Sequence, residues 1–263
     1  MDSALTDTRC LYKYRAIDKY TFELLVNNEM WFAHPASFND PFDSKVDYIY
    51  KSNKREHWIQ WLDSQQLSST ERKLILAKMD EDMQQFEAVA NQTYRPEKLF
   101  DAIGIASFSC DNTNILMWSH YAENHQGVCL GFKTENLEKM VFDAPINDLP
   151  VFEVKYQSVL PLTFNGLTDD PQRLTEFMSV KYKGWKYEKE YRVIALMDHI
   201  KSRKVRFKKN LLSEVIFGSR VVKDEKRVIK EVVKNHYIDK GCPVRFFQAK
   251  EERRAYRLTL EEE

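Results

Sequence analysis

Three short apolar runs set what this chain can fold into: Ile103–Ser109 (IGIASFS), residues 128–132 (VCLGF) and residues 215–218 (VIFG). Each reads as a strand with little solvent exposure, and short helical patterns separate them. A doubly wound nucleotide fold would need a glycine-rich turn between strand and helix. The chain has seven glycines, and residues 127–131 (GVCLG) sit inside a strand with no phosphate loop after them. The expected class is therefore α+β, with a mixed, largely antiparallel sheet at its core.

The rest of the chain fits around those runs. Residues 10–15 (CLYKYR) and 29–33 (EMWFA) read as strands, and Asp18 caps a helix to about Asn28. Arg55–Ser64 reads as a helix. Ser68 and Glu71 form a capping box that opens a second, longer one. Its apolar positions Leu74, Ile75, Met79, Met83, Phe86 and Val89 recur at threes and fours, and Pro96 lies beyond its end. Residues 51–100 are expected to be a helical insertion or lid within a single domain spanning 1–263. Further helices are expected over 115–124, 134–142, 171–182 (with Pro171 near its first turn) and 223–237. Strands are expected over 152–156, 185–196, 201–209, 244–247 and 256–258.

Composition narrows the class. Forty basic and forty acidic residues leave a net charge of zero, so no global charge favours nucleic acid or an anionic membrane. No apolar run approaches twenty residues, and residues 1–7 lack the basic and apolar parts of a signal peptide. Cys10, Cys110, Cys129 and Cys242 are scattered without metal-ligand spacing. They read as reduced thiols in a cytoplasmic protein.

The densest polar stretch is Trp185 through Ile194 (WKYEKEYRVI). Glu188 and Glu190 stand two apart at the mouth of an apolar strand, where alternation predicts that both carboxylates point to one side. Such a pair repels unless a cation, a proton or a substrate separates it. Two chemistries suit it: glycoside hydrolysis, and transfer from a sugar carbon with a carboxylate holding ribose hydroxyls. Ion pairing with Lys186, Lys189 or Arg192 is the plainer reading. In residues 118–122 (WSHYA), His120 and Tyr121 are candidate hydrogen-bonding groups for a ligand. His120 and His125 are poorly spaced for a metal, and Ser119 beside His120 cannot form a dyad on a helix. Lys13 and Arg15 share one face of the first strand and can pair with phosphate, or simply face solvent. Residues 37–43 (SFNDPFD) form a rigid turn cluster whose Asp40 and Asp43 can line a cleft. The basic run 201–209 reads as a charged edge strand, with an RNA or phosphate groove as the alternative.

Together, LYKYR, FNDPFD, MWSHYAENHQGVCLGF and WKYEKEYRVI resemble an uncharacterised bacterial family, a domain of unknown function, from Leu11 to about Val221. A weaker resemblance is to ADP-ribosyltransferases, whose sites join a basic residue on an early strand, a serine on a middle strand and a late glutamate. LYKYR, Ser107-Phe108-Ser109 and Glu188-Lys189-Glu190 are similar to those three parts, with Lys13 or Arg15 where Arg or His is usual. That resemblance implies NAD as substrate, Glu190 as catalytic residue with Glu188 orienting the acceptor, and Ser107 and Ser109 bracing the nicotinamide pocket. It also implies a toxin or anti-phage effector acting on a protein or nucleic-acid target, with an antitoxin or regulatory protein as partner. A non-catalytic ligand-sensing or partner-binding domain is the alternative, and an RNA-acting enzyme ranks third.

Overall fold

The computed structural model describes residues 8–65, 67–93, 101–143, 147–160, 163–170, 173–196 and 202–263. Residues 1–7, Pro96, Pro171 and Lys201, each used above, lie outside them. The strands are β1 Thr8–Arg15, β2 Glu29–Trp31, β3 Tyr48–Ile49, β4 Ile103–Ser109, β5 Val128–Glu135, β6 Lys139–Val141, β7 Asp148–Glu153, β8 Lys155–Gln157, β9 Phe164–Asn165, β10 Val180–Tyr182, β11 Glu190–Leu196, β12 Lys204–Arg206, β13 Leu212–Phe217, β14 Arg245–Glu251 and β15 Leu258–Glu262. The helices are α1 Lys19–Asn27, α2 Arg55–Ser64, α3 Ser69–Glu81, α4 Met83–Thr93, α5 Ile115–Tyr121, α6 Arg173–Phe177 and α7 Lys223–His236.

Nine strands join in one mixed sheet, in the order β1-β4-β11-β7-β6-β5-β13-β14-β15. Its pairings are antiparallel except β13 with β14, as the α+β expectation required. The sheet curls far enough for β1 to meet two neighbours. It pairs with β5 from Thr8 to Arg15 and touches β4 at Tyr12 opposite Ser109. Side-chain alternation then sorts the core. Val128, Leu130 and Phe132 of β5 join Val215 and Phe217 of β13 in the main apolar cluster, beneath α1 and α7. Cys129 and Ile216 point the other way, to Trp118 of α5. Ile103, Ile105 and Ile194 pack against α6 through Leu174 and Phe177.

The α2–α4 segment carries its own apolar cluster around Trp58, Trp61, Leu62, Met79 and Ala90. Ser68 and Glu71 make the expected capping box. The single long helix does not form. Asp82 is extended (φ −150°, ψ 99°), and its carboxylate accepts from the Gln85 amide at 2.9 Å, starting a new helix. Leu74 and Val89 are consequently exposed rather than inward.

Other local expectations give way to the sheet. Residues 134–142 do not make a helix: β5 continues to Glu135 and turns into β6. The pattern over 171–182 yields only the short α6, then β10 running parallel to β8. Residues 152–156 divide between β7 and β8, with Val154 between them. The helix expected over 115–124 ends at Tyr121, because Glu123, Asn124 and His125 all adopt positive φ. That reversal delivers Gly127, where an added Cβ would meet the Arg15 carbonyl oxygen at 2.1 Å. The close approach requires glycine and lets β5 start beside β1. No helix among the described residues is long and apolar enough to cross a membrane.

Candidate functional site

A cavity of about 260 Å³ opens where β1, β4, α5 and the turn before β11 meet. Lys13, Arg15, Ser107, Ser109, Tyr121, Glu188 and Glu190 all line it, so seven candidate residues from four distant segments converge. His120 does not. It is exposed and lines an adjoining cleft of about 530 Å³ with Trp185 and Tyr187, and the two clefts share Asn39 and Tyr121. A further cleft of about 450 Å³ shares Arg15 and Trp31 with the cavity.

Glu188 and Glu190 converge by a route unlike the expected one. Glu188 is not on the strand. It ends a 3-10 helix, Lys183–Glu188, and Lys189 follows in the left-handed region at φ 45°. Glu190 is the first residue of β11. The left-handed residue reverses the chain and brings both carboxylates onto one cation. The Lys181 ammonium donates to Glu188 Oε2 at 2.5 Å and to Glu190 Oε2 at 3.0 Å. Alternation along β10 and β11 supplies the cations. Lys181 points inward between the exposed Tyr182 and the half-buried Val180, and Arg192 falls on the same face of β11 as Glu190. Arg192 is wholly buried. It grips Glu190 with two bonds (Nε to Oε1 2.8 Å, Nη2 to Oε2 3.1 Å) and Asp43 with a third at 2.7 Å. Its Nη1 donates to the Met178 carbonyl and to Ser44 Oγ.

Three carboxylates, of Asp43, Glu188 and Glu190, thus share two cations in a site of low exposure. Electrostatics decides which carboxyl holds its charge least firmly. Burial alone would raise the Glu190 carboxyl. The Arg192 guanidinium, with Lys181 behind it, outweighs burial and holds it at about 2. For Glu188 burial wins over Lys181 and Tyr121, and its carboxyl sits above the usual carboxylate range. Burial works against the Lys181 charge, yet Glu190 and Glu188 overcome it and raise the ammonium. The Tyr121 hydroxyl donates to Glu188 Oε1 at 2.6 Å, and burial, then Glu188, pushes its own ionisation up.

The two serines divide into different tasks. Ser109 is fully buried in the cavity wall, and its hydroxyl donates to the Glu188 carbonyl at 2.6 Å, which fixes the turn. Ser107 adds a small further pull that lowers the Glu190 carboxyl, and its carbonyl accepts from Lys13 Nζ at 2.9 Å. Lys13 also lies 5.0 Å over the Phe108 ring. Burial, then the neighbouring Arg15, lowers the Lys13 ammonium to about 7, with Glu190 opposing. Arg15 is anchored by its Nε to Thr21 Oγ1 at 2.7 Å.

Other expectations resolve around this centre. Residues 37–43 do line the cleft: Asp43 joins the ion cluster, and Asp40 accepts from the Trp185 indole at 2.7 Å. Three residues of the basic run make structural contacts. Arg203 donates to the carbonyls of Asp101 and Ile103, Lys204 pairs with Glu23, and Arg206 with Glu29. All four cysteines are unpaired. Lys181 was the residue that sequence reasoning passed over. Its only local signal is an inward position on a three-residue strand, which the pattern over 171–182 disguised as helix.

Ser119 does find a histidine, though not His120. His125 Nε2 lies 3.1 Å from Ser119 Oγ, because the left-handed turn folds His125 back over Trp118. Ser119 Oγ also donates to the Ile115 carbonyl at 2.8 Å, which makes it the acceptor from His125 and not a nucleophile.

No match was found among curated proteins or among solved structures. The expectation of an uncharacterised family is borne out over a shorter span than 11–221. Residues 117–193, which carry Tyr121, Lys181, Glu188, Glu190 and Arg192, match the model of a family of proteins of unknown function, DUF2971.

Proposed function

We propose that the chain is an ADP-ribosyl-transferring enzyme that binds NAD in this cavity and passes ADP-ribose to a protein or nucleic-acid acceptor. One observation carries the reading: Lys13, Ser107 and Glu190, from three separate parts of the chain, line a single cavity. The cavity is of a size for the nicotinamide-ribose end, and the cleft beyond Arg15 and Trp31 offers room for the rest of the dinucleotide. In the reaction the ribose C1′–nicotinamide bond breaks, nicotinamide leaves neutral, and the acceptor attacks C1′ and loses its proton. The positive charge that grows on the ribose is stabilised by fixed carboxylates.

The two glutamates would divide this work differently from the simple late-glutamate pattern. Glu190 already accepts three bonds from Arg192 and Lys181, which occupy most of its lone pairs. It sets the field and anchors Lys181. Among the described residues Glu188 accepts from Tyr121 and Lys181 alone and retains capacity for a ribose hydroxyl. The four unpaired cysteines fit a reducing, cytoplasmic setting.

The test is nicotinamide release from NAD, with binding followed by titration. Glu188→Gln should lower turnover at least about a hundredfold, in the range seen when a group stabilising transition-state charge is removed, while leaving the fold intact. Absence of NAD binding at millimolar concentration sinks the proposal. The commitment of Glu190 to Arg192 and Lys181 favours a second reading, a non-catalytic ligand-sensing or partner-binding pocket. Under that reading Glu188→Gln leaves ligand binding intact and no nicotinamide is released by either protein.

A further inference from the structure

Lys13 differs from the other charged groups of the cavity. Its Nζ has a backbone carbonyl (Ser107) and an aromatic face (Phe108) as partners, and no ion pair joins it to a carboxylate among the described residues. The carboxylate that influences it most, Glu190, is committed to Arg192 and Lys181. Strand alternation also places the fixed Arg15 guanidinium on its face of β1, two residues on. A desolvated amine beside a like charge holds its proton weakly, and burial, then Arg15, lowers the Lys13 ammonium to about 7.

We propose that Lys13 is a nucleophilic amine that condenses with the carbonyl group of an anionic aldehyde or ketone to form an imine in the cavity. The geometry supplies each part. The neutral Nζ lone pair attacks the carbonyl carbon, the carbonyl oxygen takes up a proton, and Nζ gives one up, leaving a carbinolamine. The hydroxyl of that adduct is then protonated and leaves as water, while the nitrogen lone pair closes the C=N bond. One water is released for each imine, and nothing is oxidised or reduced. The proton for the water-forming step passes along the polar wall of the same cavity, where the Tyr121 hydroxyl is bonded to Glu188. Arg15 receives the anionic group of the substrate. This chemistry uses neither NAD nor a glycosidic bond, so it stands or falls separately from ADP-ribosyl transfer.

The experiment treats the full chain with glyoxylate and cyanoborohydride at pH 7 and maps the reduced adducts by peptide mass spectrometry. Lys13 should be labelled at least about tenfold faster than the exposed lysines, whose amines stay protonated at that pH. In urea-unfolded protein the preference should vanish, since it comes from the fold. Lys13→Arg, which keeps the charge but forms no imine, should remove this fast-labelled site. Label spread evenly over the lysines of the folded protein overturns the proposal. So does a preference for Lys13 that survives unfolding. Because the decisive measurement is made on the unmodified chain, it does not depend on any variant folding.

Discussion

The same pairing of arginine with carboxylate occurs at two places in this molecule. In the helical segment Arg55 grips Asp80 with two bonds, at 2.8 and 2.9 Å. In the cavity Arg192 grips Glu190 with two bonds, at 2.8 and 3.1 Å. The bond geometry barely differs, but the exposure does. The side chains of the first pair are 45% and 52% exposed, and those of the second 0% and 5%. At the surface, water and salt can replace either partner. In the interior nothing replaces the guanidinium, and Glu190 and Asp43 would be left as buried, underpaired charges. Identical contacts thus have different consequences, set by what surrounds them.

The largest break in that comparison comes from Arg192→Met, which keeps the stem and deletes the charge. It should cost about 3–5 kcal/mol in urea unfolding, the range for removing one partner of a buried pair. A loss no larger than that of a surface pair would show that the cluster relaxes or admits water. Acid provides the next separation. The Glu190 carboxyl is held at about 2 in the folded chain, against an ordinary value of 4.5. Its folded value is depressed, so its contribution to stability is complete above about pH 4.5 and is lost as pH falls toward 2. Unfolding midpoints measured across that window should fall in the wild type, and the slope should shrink in Glu190→Gln. The smallest effect belongs to Asp80→Ala, which should leave the unfolding midpoint unmoved within error. A clear shift there would mean that exposure is a poor guide to what an ion pair contributes.

How much of this was readable beforehand follows the range of the interactions. Ile103–Ser109 and Arg55–Ser64 form with the bounds their patterns gave, because periodicity and burial are local properties. The Ser68 and Glu71 capping box is local too. Lys13, Ser107, Glu188 and Glu190 were singled out by residue type and order. Their shared cavity, however, depends on the curl of the sheet that brings β1 against both β4 and β5. Arg192 and Asp43 lie 149 residues apart, and no local pattern joins them. Lys181 was hidden because residues 171–182 carry a helical pattern that parallel pairing with β8 overrides. The position of Glu188 turned on one backbone angle at Lys189, a residue whose side chain gives no sign of a left-handed turn.

That single residue has a consequence for how the site can change. The two carboxylates belong to different elements that meet at Lys189, so their positions are set by separate parts of the chain. Glu190 is registered opposite Ser109 by the β4–β11 ladder. Glu188 is carried by the Lys183–Glu188 turn, which is tied down through Asn114 and Ser109. Lengthening or reshaping that turn would move the Glu188 carboxylate while leaving Glu190 in its ladder. The chain thus has an adjustable carboxylate mounted beside a fixed one, and one can be repositioned without rebuilding the other.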